Sequence, residues 1–181
     1  FYAESGGGVT FSGGEPTAQP DFLLSCLRAA KARGLHTAVE TCGHAPWETF
    51  AALLDVVDLF LCDIKHMDTA LHRELTGMPN ERILDNIARL SQAGSALRLR
   101  LPLVPGVNDS EANIVASAQF AAGLPTLEGF DILPYHRLGE AKWRQLGRVY
   151  PMRDVAPHTR EDVLAKACLA GQHVGGVGIG G

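Results

Sequence analysis

Only four of the 181 residues are cysteine, and no two of them stand at C-x₂-C spacing; the chain also has no basic run and no long apolar stretch. Each shortage excludes something. Cys26, Cys42, Cys62 and Cys168 are too far apart to form a zinc or iron–sulfur ligand run, so buried, reduced thiols are expected. With a net charge of −4 and no basic run, neither nucleic acid nor an anionic membrane surface is expected as the main partner. No segment is apolar for long enough to span a bilayer and no signal peptide is visible, so a cytoplasmic location is expected. An initiator methionine is missing as well, and the chain runs from Phe1 almost directly into glycines, as a fragment or processed piece would.

What is present suffices for one globular domain, because 46% of the residues are hydrophobic. The pattern alternates strand and helix. A β-branched and aromatic run, Val9 to Phe11, stops in Ser12-Gly13-Gly14-Glu15-Pro16. Pro20 opens a helix to about Arg33, with Gly34 as its stop. His36 to Thr41 reads as a strand, Pro46 to Leu54 as a helix, and Val56 to Ile64 as a buried strand. A short helix from Thr69 to Leu75 follows, and then Asn80 is expected to cap a helix carrying Ile83, Leu84, Ile87 and Leu90. Leu97 to Val104 is a strand, Ser110 to Ala122 a helix, and Phe130 to Leu133 a further strand. Glu140 to Leu146 is weakly helical, Thr159 with Asp162 forms a capping box for a helix to Ala170, and Val174 to Ile179 is a short strand or a mobile tail. Strands separated by helices imply parallel crossovers and an α/β fold, either an open sheet or a partial barrel.

Ionisable groups collect at the carboxyl ends of these strands, where α/β sheets carry their functional groups. Glu15 follows the first strand, Glu40 and Thr41 close the second, and Asp63 and Lys65 close the third. Arg100 lies in the fourth and His136 follows the fifth. Bare glycine backbone at Gly13 and Gly14, acids for an ammonium and cations for a carboxylate suit a zwitterionic ligand bearing an amino acid. Lys65 carries a rival reading, a Schiff-base lyase, which requires a desolvated amine; Asp63 beside it favours the charged form.

Five motifs occur in one order: Gly8-Val9-Thr10-Phe11-Ser12-Gly13-Gly14-Glu15-Pro16, Glu40-Thr41-Cys42-Gly43, Asp63-Ile64-Lys65, Val104-Pro105-Gly106-Val107-Asn108-Asp109 and Leu133-Pro134-Tyr135-His136-Arg137-Leu138-Gly139. On them the chain resembles the pyruvate formate-lyase activating enzyme family of radical S-adenosylmethionine (SAM) enzymes. The resemblance implies a partial (βα)₆ barrel, here about five βα units of a single core domain spanning 1–181. It implies that Gly13, Gly14 and Glu15 receive the methionyl amino group of SAM, that Asp63, Ile64 and Lys65 line its ribose and carboxylate, and that Arg100 and His136 lie beside it. A monovalent cation between Glu40, Thr41 and Asp63 follows from the same comparison, with Glu40 standing where the family has aspartate. The family's [4Fe–4S] cluster would take its ligands from a Cys-x₃-Cys-x₂-Cys segment upstream of Phe1. The implied reaction is reductive cleavage of SAM to a 5′-deoxyadenosyl radical, which takes a hydrogen from a glycine of a partner glycyl radical enzyme, with a flavodoxin or ferredoxin-type protein as electron donor. A chain without the cluster segment is expected to be inactive by itself. Besides the Lys65 lyase, a radical SAM enzyme acting on a small molecule and a non-catalytic scaffold remain as alternatives.

Overall fold

A computed structural model of the chain describes residues 7–180, so the start at Phe1 and the closing Gly181 lie outside the described residues. Six strands make one sheet in chain order: β1 (Gly8–Phe11), β2 (His36–Thr41), β3 (Leu59–Asp63), β4 (Leu97–Leu103), β5 (Leu127–Pro134) and β6 (Val177–Ile179). Each neighbouring pair is parallel. Parallel neighbours need a crossover, which places a helix between successive strands. The helices are α1 (Pro20–Lys31), α2 (Trp47–Ala51), α3 (Thr69–Thr76), α4 (Glu81–Gln92), α5 (Glu111–Ala122), α6 (Glu140–Gln145) and α7 (Arg160–Gly171), with 3₁₀ turns at Pro16–Ala18 and Arg137–Gly139. The α/β fold with a parallel sheet is therefore present, and the tail is a strand, β6.

β4 shows how the two-residue period of a strand sorts its side chains. Leu97, Leu99, Leu101 and Leu103 are fully buried among Val39, Phe60 and Phe130 of the sheet and Leu27, Phe50, Ile87 and Ile114 of the helices. Arg98 and Arg100 alternate with them and face the other side of the sheet. There Arg98 pairs with Asp131 on β5. Gly178 on β6 makes the pair possible, because a Cβ at that position would collide with the Asp131 carboxylate.

Three local expectations change. The third strand begins at Leu59 rather than Val56, because Val56 and Val57 close a turn and Asp58 is a clasp. Its carboxylate accepts from Lys31 Nζ at 2.7 Å and from the Thr37 N–H at 2.8 Å, joining α1, β2 and β3. Asn80 precedes α4 without capping it. Its side chain is spent elsewhere, donating to the carbonyls of His66 and Met67 at 2.9 and 2.8 Å. Of the four free thiols only Cys62 is buried; Cys26 and Cys42 are partly exposed and Cys168 is exposed, with Cys26 at the edge of the face that buries Leu23, Leu27 and Ala30.

Candidate functional site

All six strands run in one direction, so their carboxyl ends form a single rim. At the end of β1, Gly13 has φ +128°, a conformation that suits only glycine, and nothing lies within 4 Å of where its Cβ would be. The backbone of Gly13 and Gly14 is therefore uncovered. Glu15 follows as the N-cap of the first 3₁₀ turn. Its Oε1 accepts from the Thr17 N–H (3.1 Å), the Thr17 hydroxyl (2.7 Å) and the Thr41 hydroxyl (2.8 Å), and its Oε2 accepts from the Cys42 N–H (2.8 Å). Burial pushes this carboxyl up, but the Cys42, Thr17 and Thr41 hydrogen bonds together hold it below the usual glutamate range. One oxygen is saturated and the other retains acceptor capacity. Glu15 is thus a fixed anion that joins the end of β1 to the end of β2.

The next three strands meet on a guanidinium. Register places Asp63 directly across from Arg100. Arg100, 8% exposed, donates to Asp63 Oδ1 from Nε at 2.8 Å and from Nη2 at 2.7 Å, and Nη2 also lies 2.6 Å from Glu40 Oε1. Burial opposes the charge of Arg100, and the two carboxylates outweigh it and strengthen its hold on the proton. The hydrogen bond from Arg100 in turn keeps the Glu40 carboxyl low. Glu40 Oε2 accepts from the Ser12 hydroxyl at 3.0 Å, which returns the network to β1. Lys65 Nζ stands 3.5 Å from Asp63 Oδ2 with its side chain 40% exposed.

These residues wall a polar hollow of about 80 Å³ lined by Ser12, Gly13, Gly14, Glu15, Glu40, Thr41, Cys42, Asp63 and Lys65. A second, largely apolar hollow of about 210 Å³ shares Cys42, Asp63 and Lys65 and extends to His44, His72, Met78 and Ile83. The Cys42 thiol stands between them, pushed up by burial and by its hydrogen bond to Glu15.

The structure brings Gly13, Gly14, Glu15, Glu40, Thr41, Asp63, Lys65 and Arg100 together. It places two expected residues differently. Ile64 is 2% exposed and its side chain belongs to the core, so only its backbone is near the rim. His136 is exposed beyond β5, where its Nδ1 accepts from the Leu138 N–H at 3.4 Å. Between Glu40 and Asp63 stands Arg100, and the Thr41 hydroxyl is turned to Glu15. The charge those acids share in this structure is the guanidinium. No group of three His, Cys, Asp or Glu able to hold a metal occurs among the described residues.

Four asparagines are buried, and of these Asn86 and Asn113 carried no expectation from the sequence, while Asn80 was expected as a cap and Asn108 stood only within a motif. Asn86 donates to the carbonyls of Gly43 and Ala45 at 2.8 and 2.9 Å. Asn108 donates to Lys65 O at 2.8 Å and Pro102 O at 2.6 Å and accepts from the Val104 N–H at 2.7 Å. Asn113 accepts from the Met67 N–H and donates to Asn108 O, both at 2.8 Å. With Asn80 they latch the loops after β2, β3 and β4. A signal existed for Asn86, which sits at apolar-stripe spacing between Ile83 and Leu90.

The model of the radical SAM superfamily matches residues 2–118. An isethionate sulfite-lyase activating enzyme from Nitratidesulfovibrio vulgaris is 48% identical over 157 residues, covering 86% of this chain and 50% of that protein. A pyruvate formate-lyase-activating enzyme from Staphylococcus epidermidis is 40% identical over 169 residues, covering 90% of this chain and 67% of that one. Among solved structures, a domain of pyruvate-formate lyase-activating enzyme from Bacteroides vulgatus superposes with a TM-score of 0.80 at 35% identity, over 97% of this chain and 99% of that one. The chain spans about half the length of the first curated relatives it matches.

Proposed function

This chain belongs to the radical SAM superfamily and, within it, to the activating proteins of glycyl radical enzymes, and from that membership we propose that its rim holds SAM for generation of a glycyl radical in a partner enzyme. One observation carries the reading. The polar hollow offers bare glycine backbone and the remaining acceptor capacity of Glu15 on one side, and the Lys65 ammonium on the other. A methionyl amino group and carboxylate need that pairing. On this reading Asp63, the Ile64 backbone and Lys65 line the ribose and carboxylate of SAM. His136, Glu40 and Thr41 complete the rim, with Arg100 supplying the cationic charge between the two acids.

When bound, SAM supplies a 5′-deoxyadenosyl radical on reductive cleavage, the chemistry of this superfamily. Members of the superfamily perform it with a [4Fe–4S] cluster, and the donor set for that cluster is not among the described residues. The chain's own task is orientation. Glu15, locked by four hydrogen bonds, keeps one carboxylate orientation without reorganising when ligand arrives. The asparagine latches do the same for the loops around it. Glycine suits the partner because no side chain obstructs access to its Cα. No helix among the described residues is long and apolar enough to cross a membrane. A cytoplasmic location and a flavodoxin or ferredoxin-type protein as reductant belong to the same proposal. The Lys65 side chain is 40% exposed and ion-paired with Asp63, without the full desolvation that a Schiff-base lysine requires.

The test is the full-length gene product with reconstituted cluster, dithionite and SAM. Formation of 5′-deoxyadenosine, with a glycyl EPR doublet on adding a partner enzyme, is expected. Absence of both would overturn the proposal.

A further inference from the structure

The segment between β5 and α7 folds into a knob of its own. No residue from Leu133 to Asp162 is buried as a whole, and in this range the His158 side chain, 6% exposed against Asp109, is the one anchored to the body of the domain by an ion pair. The aromatic residues of the knob hold it closed: the Tyr135 and Tyr150 hydroxyls are 2.9 Å apart, Tyr135 donates to Met152 O at 3.2 Å, and Trp143 meets Tyr150 edge-on at 6.1 Å between centroids. Arg137 adds a hydrogen bond to Val155 O at 2.9 Å. The aliphatic residues are left outside. Leu138, Leu146 and Val149, at 78%, 70% and 74% exposure, are the three most exposed large hydrophobics of the described residues. Around them the knob carries Arg137, Lys142, Arg144, Arg148 and Arg153 against Glu140 and Asp154 alone, in a chain whose net charge is −4. An ordered element whose aromatics are only half-buried, with exposed leucines among more basic than acidic residues on an acidic chain, has the composition of a docking surface.

Its position names the occupant. The knob rises from the carboxyl end of β5, beside the strand that carries Arg100, on the same rim as the polar hollow. A protein that delivers a backbone glycine to that hollow has to approach the rim from which the knob rises. We propose that residues 136–155 form the docking surface for the glycine-bearing partner enzyme, recognising an acidic surface patch with an apolar centre. This rests on the function proposed above. Opposite charge steers the encounter and sets its salt dependence, while the leucines supply desolvated area once the two surfaces meet.

The experiment uses the full-length gene product with reconstituted cluster. As partner it takes whichever of isethionate sulfite-lyase, choline trimethylamine-lyase or pyruvate formate-lyase gives the largest glycyl EPR signal with the wild type. A Lys142→Glu/Arg144→Glu/Arg148→Glu variant and a separate Leu138→Ser/Leu146→Ser variant are compared with it. The KM for the partner is expected to rise about tenfold in each, with kcat and partner-free 5′-deoxyadenosine formation unchanged. Surface plasmon resonance on immobilised partner should show the same loss of affinity, and the wild type should weaken between about 50 and about 300 mM NaCl. An unchanged partner KM in both variants overturns the proposal. So does a change confined to the dependence on a flavodoxin reductant, which would assign the knob to the electron donor. If the wild type forms neither deoxyadenosine nor a radical with any partner, the proposed function fails first, and that outcome is separable from both.

Discussion

Arg100 is the residue on which the rim's electrostatics turn. It is buried, and it is shared by two carboxylates from two different strands, so one oxygen of each acid, Asp63 Oδ1 and Glu40 Oε1, is committed to the guanidinium. Replacing it with methionine keeps most of the volume and leaves Glu40 and Asp63 facing one another without a shared cation. Loss of one partner of a fully buried pair costs about 3–5 kcal/mol, and because Glu40 is 36% exposed the expected loss is nearer about 2 kcal/mol, read as a lower urea midpoint. Arg100→Lys should lie between, because an ammonium cannot reproduce the fork. Glu15 gives a prediction in pH. Its carboxyl is held below the ordinary value in the folded state, so it binds protons more readily when unfolded. The stabilisation it contributes is therefore complete above the unfolded value of about 4.3 and is lost as the pH falls through the lower folded value. Stability of the wild type should drop through that window more steeply than that of Glu15→Gln, measured as urea midpoint against pH.

At the scale of elements, the rim is precise because helices reach over and hold its loops. Asn86 belongs to α4, yet its two hydrogen bonds go to the loop after β2 that carries Cys42. Asn86→Leu is close in size and strands two buried carbonyls. A loss of about 1–3 kcal/mol is expected from the unsatisfied groups, and Cys42 should react faster with a thiol reagent as its loop loosens, while Cys62 should not. Asp58 acts similarly for α1, β2 and β3, away from the rim. These latches explain why the expected strand start at Val56 and the expected cap at Asn80 were displaced. In both cases a side chain with a good local use was recruited by backbone groups distant in sequence. Local pattern carries no information about such a partner.

For the whole molecule, a leucine-lined β4 is sealed by helices along the full width of the sheet, while the knob after β5 is at most half-buried across 136–155. Hydrogen exchange should therefore be slowest in β4 and β3 and fastest, within the ordered residues, across 137–155, with protection there rising when the partner enzyme binds. The sequence by itself determined the alternation of strands and helices, the parallel fold and the identity of the rim acids and bases. Period-two and 3.6-residue patterns are local, and strand ends in such a fold converge regardless of detail. It also carried the five ordered motifs on which the family resemblance rested. Tertiary structure alone decided which charges meet: that Arg100 pairs with both Glu40 and Asp63, that Ile64 turns inward, that His136 is exposed beyond β5, and that four asparagines brace the loops. Each of these depends on register between strands and on contacts dozens of residues apart in sequence, and a side chain's own neighbours along the chain do not encode either.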